Sequence, residues 1–287
     1  MIKRISRKNL DVDKYTECLN KSVNYRIYAE VWYLDTLVEN NWDCYVLNDY
    51  EAIMPLPFVK KIGIKFITQP IYCQQLGVFH QKNLSKETFK KFEKKLHRNL
   101  VRVYSFNEEN TEMFEPKGNQ KINYILDLNQ SYEKIFNNYS SNRRKELRRA
   151  HRLGISINHL NYIDDFIYLK KEYFQNDFEK IYGNKLNKLN KKQCLNIIRL
   201  EDSHNNLLGV QIFLNSKNRI ICLSFVRNES IEKHNTSAYI LDYMIKNNIS
   251  KPLFFDFEGS MVPQIAKFMT AFGPITKIYT SYSNLKF

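Results

Sequence analysis

From residue 196 onward, strand-length and helix-length apolar patterns follow one another in an order that sets the sheet topology. Asn196 to Glu201, Leu207 to Asn215 and Arg219 to Val226 read as strands. They are separated only by the polar turns 202–206 and 216–218, and turns that short join antiparallel neighbours. A polar loop, Arg227 to Asn235, then leads into a helical pattern over Thr236 to Asn248. A strand at Pro252 to Phe257, a helix at Val262 to Phe272 and a closing strand at Ile275 to Tyr282 complete the chain. A meander followed by helix, strand, helix and strand predicts an α/β (α+β) fold, a mixed and mostly antiparallel sheet flanked by helices.

The first part of the chain has a similar texture. After an opening strand and helix, Trp42 to Leu47 and Glu51 to Pro57 flank a turn at Asn48-Asp49 and read as a hairpin, with Pro55 and Pro57 ending the second strand or marking an edge. Residues 64–79 are strand-like, 84–100 alternate Lys with Phe and Leu at helical spacing, and 101–106 form a short strand. The polar segment 107–121 carries Pro116-Lys117-Gly118-Asn119 and is the expected boundary. It divides the chain into residues 1–120 and 121–287. The second part opens with a strand at 122–128, a helix signalled by Ser131 and Glu133-Lys134, a second helix from Ser140 to a capping Gly154, and a helix near 188–195.

Composition narrows the functional classes. With 287 residues, 43% of them apolar and 14% aromatic, the chain can fill two cores. No apolar run approaches the roughly 18 to 20 residues of a membrane-spanning helix, and the basic start Met1 to Lys8 has no apolar stretch behind it, so the expected location is the cytoplasm. Cys18, Cys44, Cys73, Cys194 and Cys222 are scattered and the six histidines lie far apart, which argues against a disulfide framework and against a metal site. The formal charge of +14 favours anionic partners, although Lys, Asn and Ile are abundant throughout. Local clustering is more telling. Arg144, Arg148 and Arg152 recur every four positions beside Lys145 and Arg149, a cationic helix face suited to phosphate or RNA. The alternative is a solvated exterior with Leu147, Ala150 and Leu153 turned inward.

The chemistry-bearing stretch is Phe254-Phe255-Asp256-Phe257-Glu258-Gly259-Ser260, a buried strand that ends in two carboxylates and a glycine. Ligands of open α/β sheets bind beyond the carboxyl ends of strands. Asp256 or Glu258 is therefore a candidate base, and Tyr279 a candidate proton donor. The competing reading has Asp256 capping neighbouring backbone, Glu258 as an exposed strand end and Tyr279 packing in the interior. No serine or cysteine lies in a GxSxG context, which argues against covalent catalysis.

The element order resembles that of GNAT-fold acyltransferases, and the details are similar to the Fem peptidyltransferases that add amino acids to peptidoglycan precursors. The residues that carry the likeness are Leu126-Asp127-Leu128, the run Ser140 to Ala150, and Phe255-Asp256-Phe257-Glu258-Gly259. Trp42-Asp43 through Pro55-Leu56-Pro57, with Gln74 to Phe79, resembles the first half of double-GNAT proteins. The resemblance implies two GNAT-like halves and transfer of an acyl or aminoacyl group to the amine of a small molecule or peptide. It also implies that Arg227, Asn235, Thr236 and Ser237 face a pyrophosphate at a helix N-terminus. The donor stays open between acyl-CoA and aminoacyl-tRNA, and a catalytically degenerate pair that binds RNA or protein is the non-enzymatic alternative.

The loop 227–237 lacks the paired glycines that let a backbone approach a pyrophosphate, and it carries Glu229 and Glu232. Acetyl-CoA is therefore expected to give no thermal stabilisation at concentrations that saturate ordinary GNAT enzymes. A ligand at about 100 times its Kd adds about 2.7 kcal/mol, a shift of roughly 4 °C or more for a chain of this size, so a dose-dependent shift with acetyl-CoA would contradict that expectation.

Overall fold

The computed structural model describes residues 1–81, 83–174, 182–231 and 236–285. In chain order the first part contains β1 (Ile2–Ser6), α1 (Val12–Lys21), α2 (Val31–Val38), β2 (Trp42–Leu47), β3 (Ala52–Lys61), β4 (Ile64–Thr68), β5 (Phe79–His80), α3 (Lys86–His97), β6 (Leu100–Phe106) and α4 (Glu108–Phe114). Then come β7 (Asn119–Asp127), α5 (Tyr132–Asn138), α6 (Ser141–Arg152), β8 (Ser156–Leu160), α7 (Asp164–Phe174), α8 (Asn184–Asn190), β9 (Leu195–Glu201), β10 (Leu207–Asn215) and β11 (Arg219–Arg227). The chain ends with α9 (Ser237–Lys246), β12 (Phe254–Asp256), α10 (Pro263–Thr270) and β13 (Ile275–Tyr282). Among the described residues no helix is long and apolar enough to cross a membrane.

Two compact units result. Unit 1 is Met1–Ile122 with Lys277–Phe287, and unit 2 is Asn123–Thr276. A cut at 120/121 therefore differs from the observed division chiefly in the last strand, most of which belongs with unit 1.

The two units repeat one strand plan. In unit 1, β1, β2, β3 and β4 pair antiparallel in succession, β4 pairs parallel with β6, and β6 pairs antiparallel with β13. In unit 2, β8, β9, β10 and β11 do the same, β11 pairs parallel with β12, and β12 pairs antiparallel with β7. The sixth strand of each plan is supplied by the other stretch of chain: β7 follows α4 in sequence but pairs in unit 2, and β13 follows α10 but pairs in unit 1. Close packing marks the start of β7. A Cβ on Gly118, whose φ is +151°, would meet the Ser281 carbonyl oxygen at 2.5 Å.

Local chemistry accounts for the elements. Asp11, Ser85, Asn107, Ser131 and Ser140 each accept a backbone N–H three residues on, the N-cap arrangement that satisfies an orphan donor of a first helical turn. β10 is buried along nearly its whole length, as its continuous apolar run requires of a strand with neighbours on both edges. At Gly209 a Cβ would lie 2.8 Å from the Val226 carbonyl oxygen, so only glycine permits that approach of β11. In unit 1, Tyr15 packs edge-on against Trp42 with ring centroids 5.5 Å apart and donates its hydroxyl to the Ala29 carbonyl at 2.7 Å.

Three expectations need correction. Residues 64–79 are not one strand: β4 stops at Thr68, Tyr72 has a φ of +59°, and pairing resumes at β5. Pro55 and Pro57 lie within β3 and pair with Cys44 and Trp42, at positions where β3 has no registered partner on its other side. A missing N–H is tolerated there, because β4 pairs only with Phe58–Lys61. The helix expected near 188–195 is α8, which ends at Asn190, and Leu195 already begins β9.

A chain ending at residue 276 lacks the Tyr104–Phe106 pairing with Ser281, Tyr282 and Thr280. Amide exchange over those β6 residues is expected to accelerate by orders of magnitude, while β9 to β11 keep their protection. Unchanged protection of β6 would contradict the strand exchange.

Candidate functional site

β11 and β12 run parallel for only three registered pairs, Arg219 with Phe254, Ile220 with Phe255, and Ile221 with Asp256. β12 then ends while β11 continues to Arg227, and the two strands separate. A bulge in β11, where Ile212 pairs with Ser224 but Phe213 pairs with Cys222, bends the strand as it leaves. Beyond the point of separation lies a cavity of about 630 Å³. Cys222, Phe225 and Arg227 of β11 form one wall, Phe257 follows the end of β12, Ser237 and Leu241 come from α9, and Gln264, Ile265, Phe268 and Met269 from α10. Gln211 of β10 completes it. Ligands of α/β sheets are held at this kind of place, outside the carboxyl ends of strands.

The end of β12 is fixed by a buried ion pair. The Arg219 guanidinium donates to Asp256 Oδ2 at 2.6 Å, with both side chains almost fully buried. Asp256 Oδ1 accepts from Asn123 Nδ2 at 3.0 Å and from the Glu258 backbone N–H at 2.9 Å. The carboxylate thus ties β11, β7 and the turn after β12 together. It does not line the cavity. The Asp256 side chain holds the Glu258 N–H in an Asx turn, and Glu258 adopts the left-handed conformation with φ of +57°. A non-glycine residue in that region is costly and persists where its surroundings impose it.

Phe257, between the two acids, lines the cavity, whereas neither Asp256 nor Glu258 is in its described lining. The Cys222 thiol is pushed well above its ordinary range, first by burial and then by the negative charges of Asp256 and Glu258. A neutral thiol of that kind is packing, not a nucleophile.

The other expected site residues separate into those at the cavity and those elsewhere. Arg227 and Ser237 line it, and Arg227 donates to Glu229 at 3.2 Å. Asn235 lies outside the described residues. Thr236 precedes α9 with helical angles, φ −70° and ψ −17°, and its buried hydroxyl makes no capping bond. Tyr279 lies on the part of β13 that belongs to unit 1, half-buried. Arg144, Arg148 and Arg152 share one face of α6, where Arg144 donates to the Asn137 carbonyl and Arg148 to the Arg144 carbonyl. Arg148 and Arg152 are exposed, and none of the three lines the cavity.

The cationic spacing hides the arginine that matters to packing. Arg143 is 2% exposed, with its guanidinium 4.3 Å and 4.4 Å from the ring centres of Phe268 and Phe272. It donates to the Phe268 carbonyl at 2.8 Å and pairs with Glu146 at 2.6 Å, locking α6 to α10, which walls the cavity. Its flat guanidinium stacks between rings as an ammonium cannot. Gln211 and Arg219 carry no local sequence signal either. Their roles depend on the bulge and on the β11–β12 register, which have no sequence motif.

At the matching place of unit 1 the chain stays paired. Beyond the paired ends of β4 and β6, the segment after β4 stays on β6: Gln69 N–H donates to the Val103 carbonyl and Leu76 N–H to the Ser105 carbonyl. Gln75 is fully buried and exchanges hydrogen bonds with Glu108, whose carboxylate pairs with the buried Arg26 at 3.2 Å.

Removing one partner of a buried ion pair strands the other charge. Arg219→Met is expected to cost about 3–5 kcal/mol in urea unfolding, and Arg219→Met with Asp256→Leu to recover most of that loss. Equal destabilisation by the single and double variants would contradict the coupling.

No family model matches the chain, and no curated protein matches its sequence. Solved structures do. FemX superposes with a TM-score of 0.68 at 9% identity, over 98% of this chain and 97% of that one. The C-terminal domain of a putative lysylphosphatidylglycerol synthetase from Agrobacterium fabrum gives 0.58 at 7% identity, over 96% and 92%. L-PGS from Bacillus licheniformis gives 0.53 at 12% identity, over 96% and 93%. The repeated six-strand plan and these superpositions agree: the chain has the GNAT/Fem-like fold.

Proposed function

We propose that the chain is an N-acyltransferase that moves an acyl or aminoacyl group onto the amine of a small molecule or peptide, with the chemistry in the cavity of unit 2. The observation that carries this reading is the opening between β11 and β12, beside a Glu258 turn imposed by the buried Arg219–Asp256 pair. The similar structures support it by their names, one a Fem protein and one a lysylphosphatidylglycerol synthetase domain.

In this proposal Glu258 is the general base and Asp256 a positioning residue. The acceptor nitrogen attacks the carbonyl carbon of the donor, forming the C–N bond, and Glu258 takes the proton that the nitrogen loses. The tetrahedral intermediate collapses with breakage of the bond between that carbon and the donor's leaving atom, which departs with the proton. No step is assigned to Tyr279. An aminoacyl-tRNA suits the site better than acyl-CoA, because the loop after β11 lacks paired glycines and Arg227 is paired with Glu229. The exposed Arg148 and Arg152, with Arg144, give the same donor a phosphate-binding face on α6.

Glu258→Gln is expected to lower kcat by roughly 10²- to 10⁴-fold with little change in the unfolding midpoint. A variant with full activity would remove Glu258 from the mechanism. Arg144→Ala with Arg148→Ala is expected to weaken tRNA binding and reduce its salt slope by roughly one per lost phosphate contact. Unchanged binding would assign that face to solubility.

A further inference from the structure

Gln211 is the buried polar side chain of the cavity for which the mechanism above has no use. It is 3% exposed and lies in the cavity lining. Both hydrogens of its amide are committed, since Nε2 donates to the Ile212 carbonyl at 3.1 Å and to the Ser224 carbonyl at 3.0 Å. The bulge of β11 at this point, where the register skips Leu223, interrupts the ladder and leaves Ser224 able to accept from a side chain. Two backbone acceptors on one side fix which end of the amide is nitrogen. The Oε1 atom accepts from no described group, and it is not among the polar atoms shut away from all open space. It is a pre-positioned acceptor that a ligand N–H or O–H can satisfy, and a group of this kind discriminates against analogues lacking the donor.

Beside Ser237 and Gln264, which are polar and uncharged, most of the remaining lining is apolar. Phe225, Leu241, Phe257, Phe268 and Met269 supply rings and branched or flexible alkyl groups, and the described lining contains no carboxylate. Its charged member is Arg227. A cationic side chain entering this space would be desolvated against hydrocarbon with a guanidinium as its charged neighbour, whereas an uncharged apolar side chain would be stabilised.

We propose that Gln211 reads the α-amino group of the transferred residue, so that the cavity selects an aminoacyl group with an apolar side chain over a simple acyl group and over a lysyl group. This rests on the acyl-transfer reading of the same cavity, but it concerns ground-state recognition and is measured without turnover.

The test is binding of three small amides, followed by calorimetry or ligand-observed NMR at about pH 9, above the usual α-amino value of roughly 8. L-Leucinamide carries the α-amino group and an apolar side chain, 4-methylpentanamide has the same skeleton without the amine, and L-lysinamide keeps the amine with a cationic side chain. The native chain is expected to bind L-leucinamide at least about tenfold more tightly than either of the others. Gln211→Met is expected to abolish the preference for L-leucinamide over 4-methylpentanamide while leaving the latter's affinity within about twofold. Because Gln211 also braces the bulge, the comparison of ligands on the native chain stands as a variant-free arm. Equal binding of L-leucinamide and 4-methylpentanamide, tight binding of L-lysinamide, binding of none of the three, or a preference that survives Gln211→Met would each overturn the inference. Retained transfer activity with no such preference would sink the inference alone, whereas full activity of Glu258→Gln bears on the mechanism and leaves these binding results standing.

Discussion

The buried pair between Arg219 and Asp256 is the constraint from which the site of unit 2 is built. Taking two charges out of water is expensive, and the cost is offset only when geometry and further hydrogen bonds are good. The carboxylate meets that condition: the guanidinium contact is 2.6 Å, and the other carboxylate oxygen accepts from Asn123 and from the Glu258 N–H. One carboxylate therefore fixes the register of β11 on β12, the approach of β7 and the left-handed turn at Glu258. The strands separate immediately after this clamp. The cavity and the turn beside it are consequences of the same few bonds.

The repeated strand plan allows the space after the parallel pair to be compared between the units. Both units make a parallel pair between their fourth and fifth strands, and in both the pair is short. In unit 1 the chain leaving β4 continues to hydrogen-bond β6 through Gln69 and Leu76, and Gln75, Glu108 and Arg26 are buried there and bonded to one another. In unit 2 the corresponding space is bounded by Phe225, Leu241, Phe268 and Met269 and stays open. The same topology thus carries a paired chain segment at this place in one unit and a cavity in the other. The position of α10, held through Arg143 between Phe268 and Phe272, contributes the outer wall.

Much of this was legible in the sequence, and the failures have physical causes. The meander 196–226 and the helix, strand, helix, strand order after it could be read because period and turn chemistry agree there. Helix starts at Ser131 and Ser140 were readable for the same reason, since side-chain capping is a local interaction. β8 has no such signal: Ser156–Leu160 is a largely exposed edge strand without apolar alternation. Pro55 and Pro57 looked like a strand end because the gap in β3's second partner is a tertiary fact. The strand end at Asp256 and Glu258 was visible, but the burial and ion pairing of Asp256 were not. They depend on Arg219, 37 residues earlier, and only the parallel register brings the two together. Likewise the arginine spacing on α6 drew attention to Arg144, Arg148 and Arg152, whereas Arg143 is the one the interior uses.

The most direct test of the central claim, that the opening between β11 and β12 is where transfer occurs, is a crystal structure with a non-hydrolysable aminoacyl-adenosine amide bound. The expected result is density for the aminoacyl group within the walls formed by Phe225, Leu241, Phe257 and Phe268, with its carbonyl carbon on the side of the Glu258 turn. Density confined to the α6 face, or to unit 1, with this cavity empty, would contradict the account.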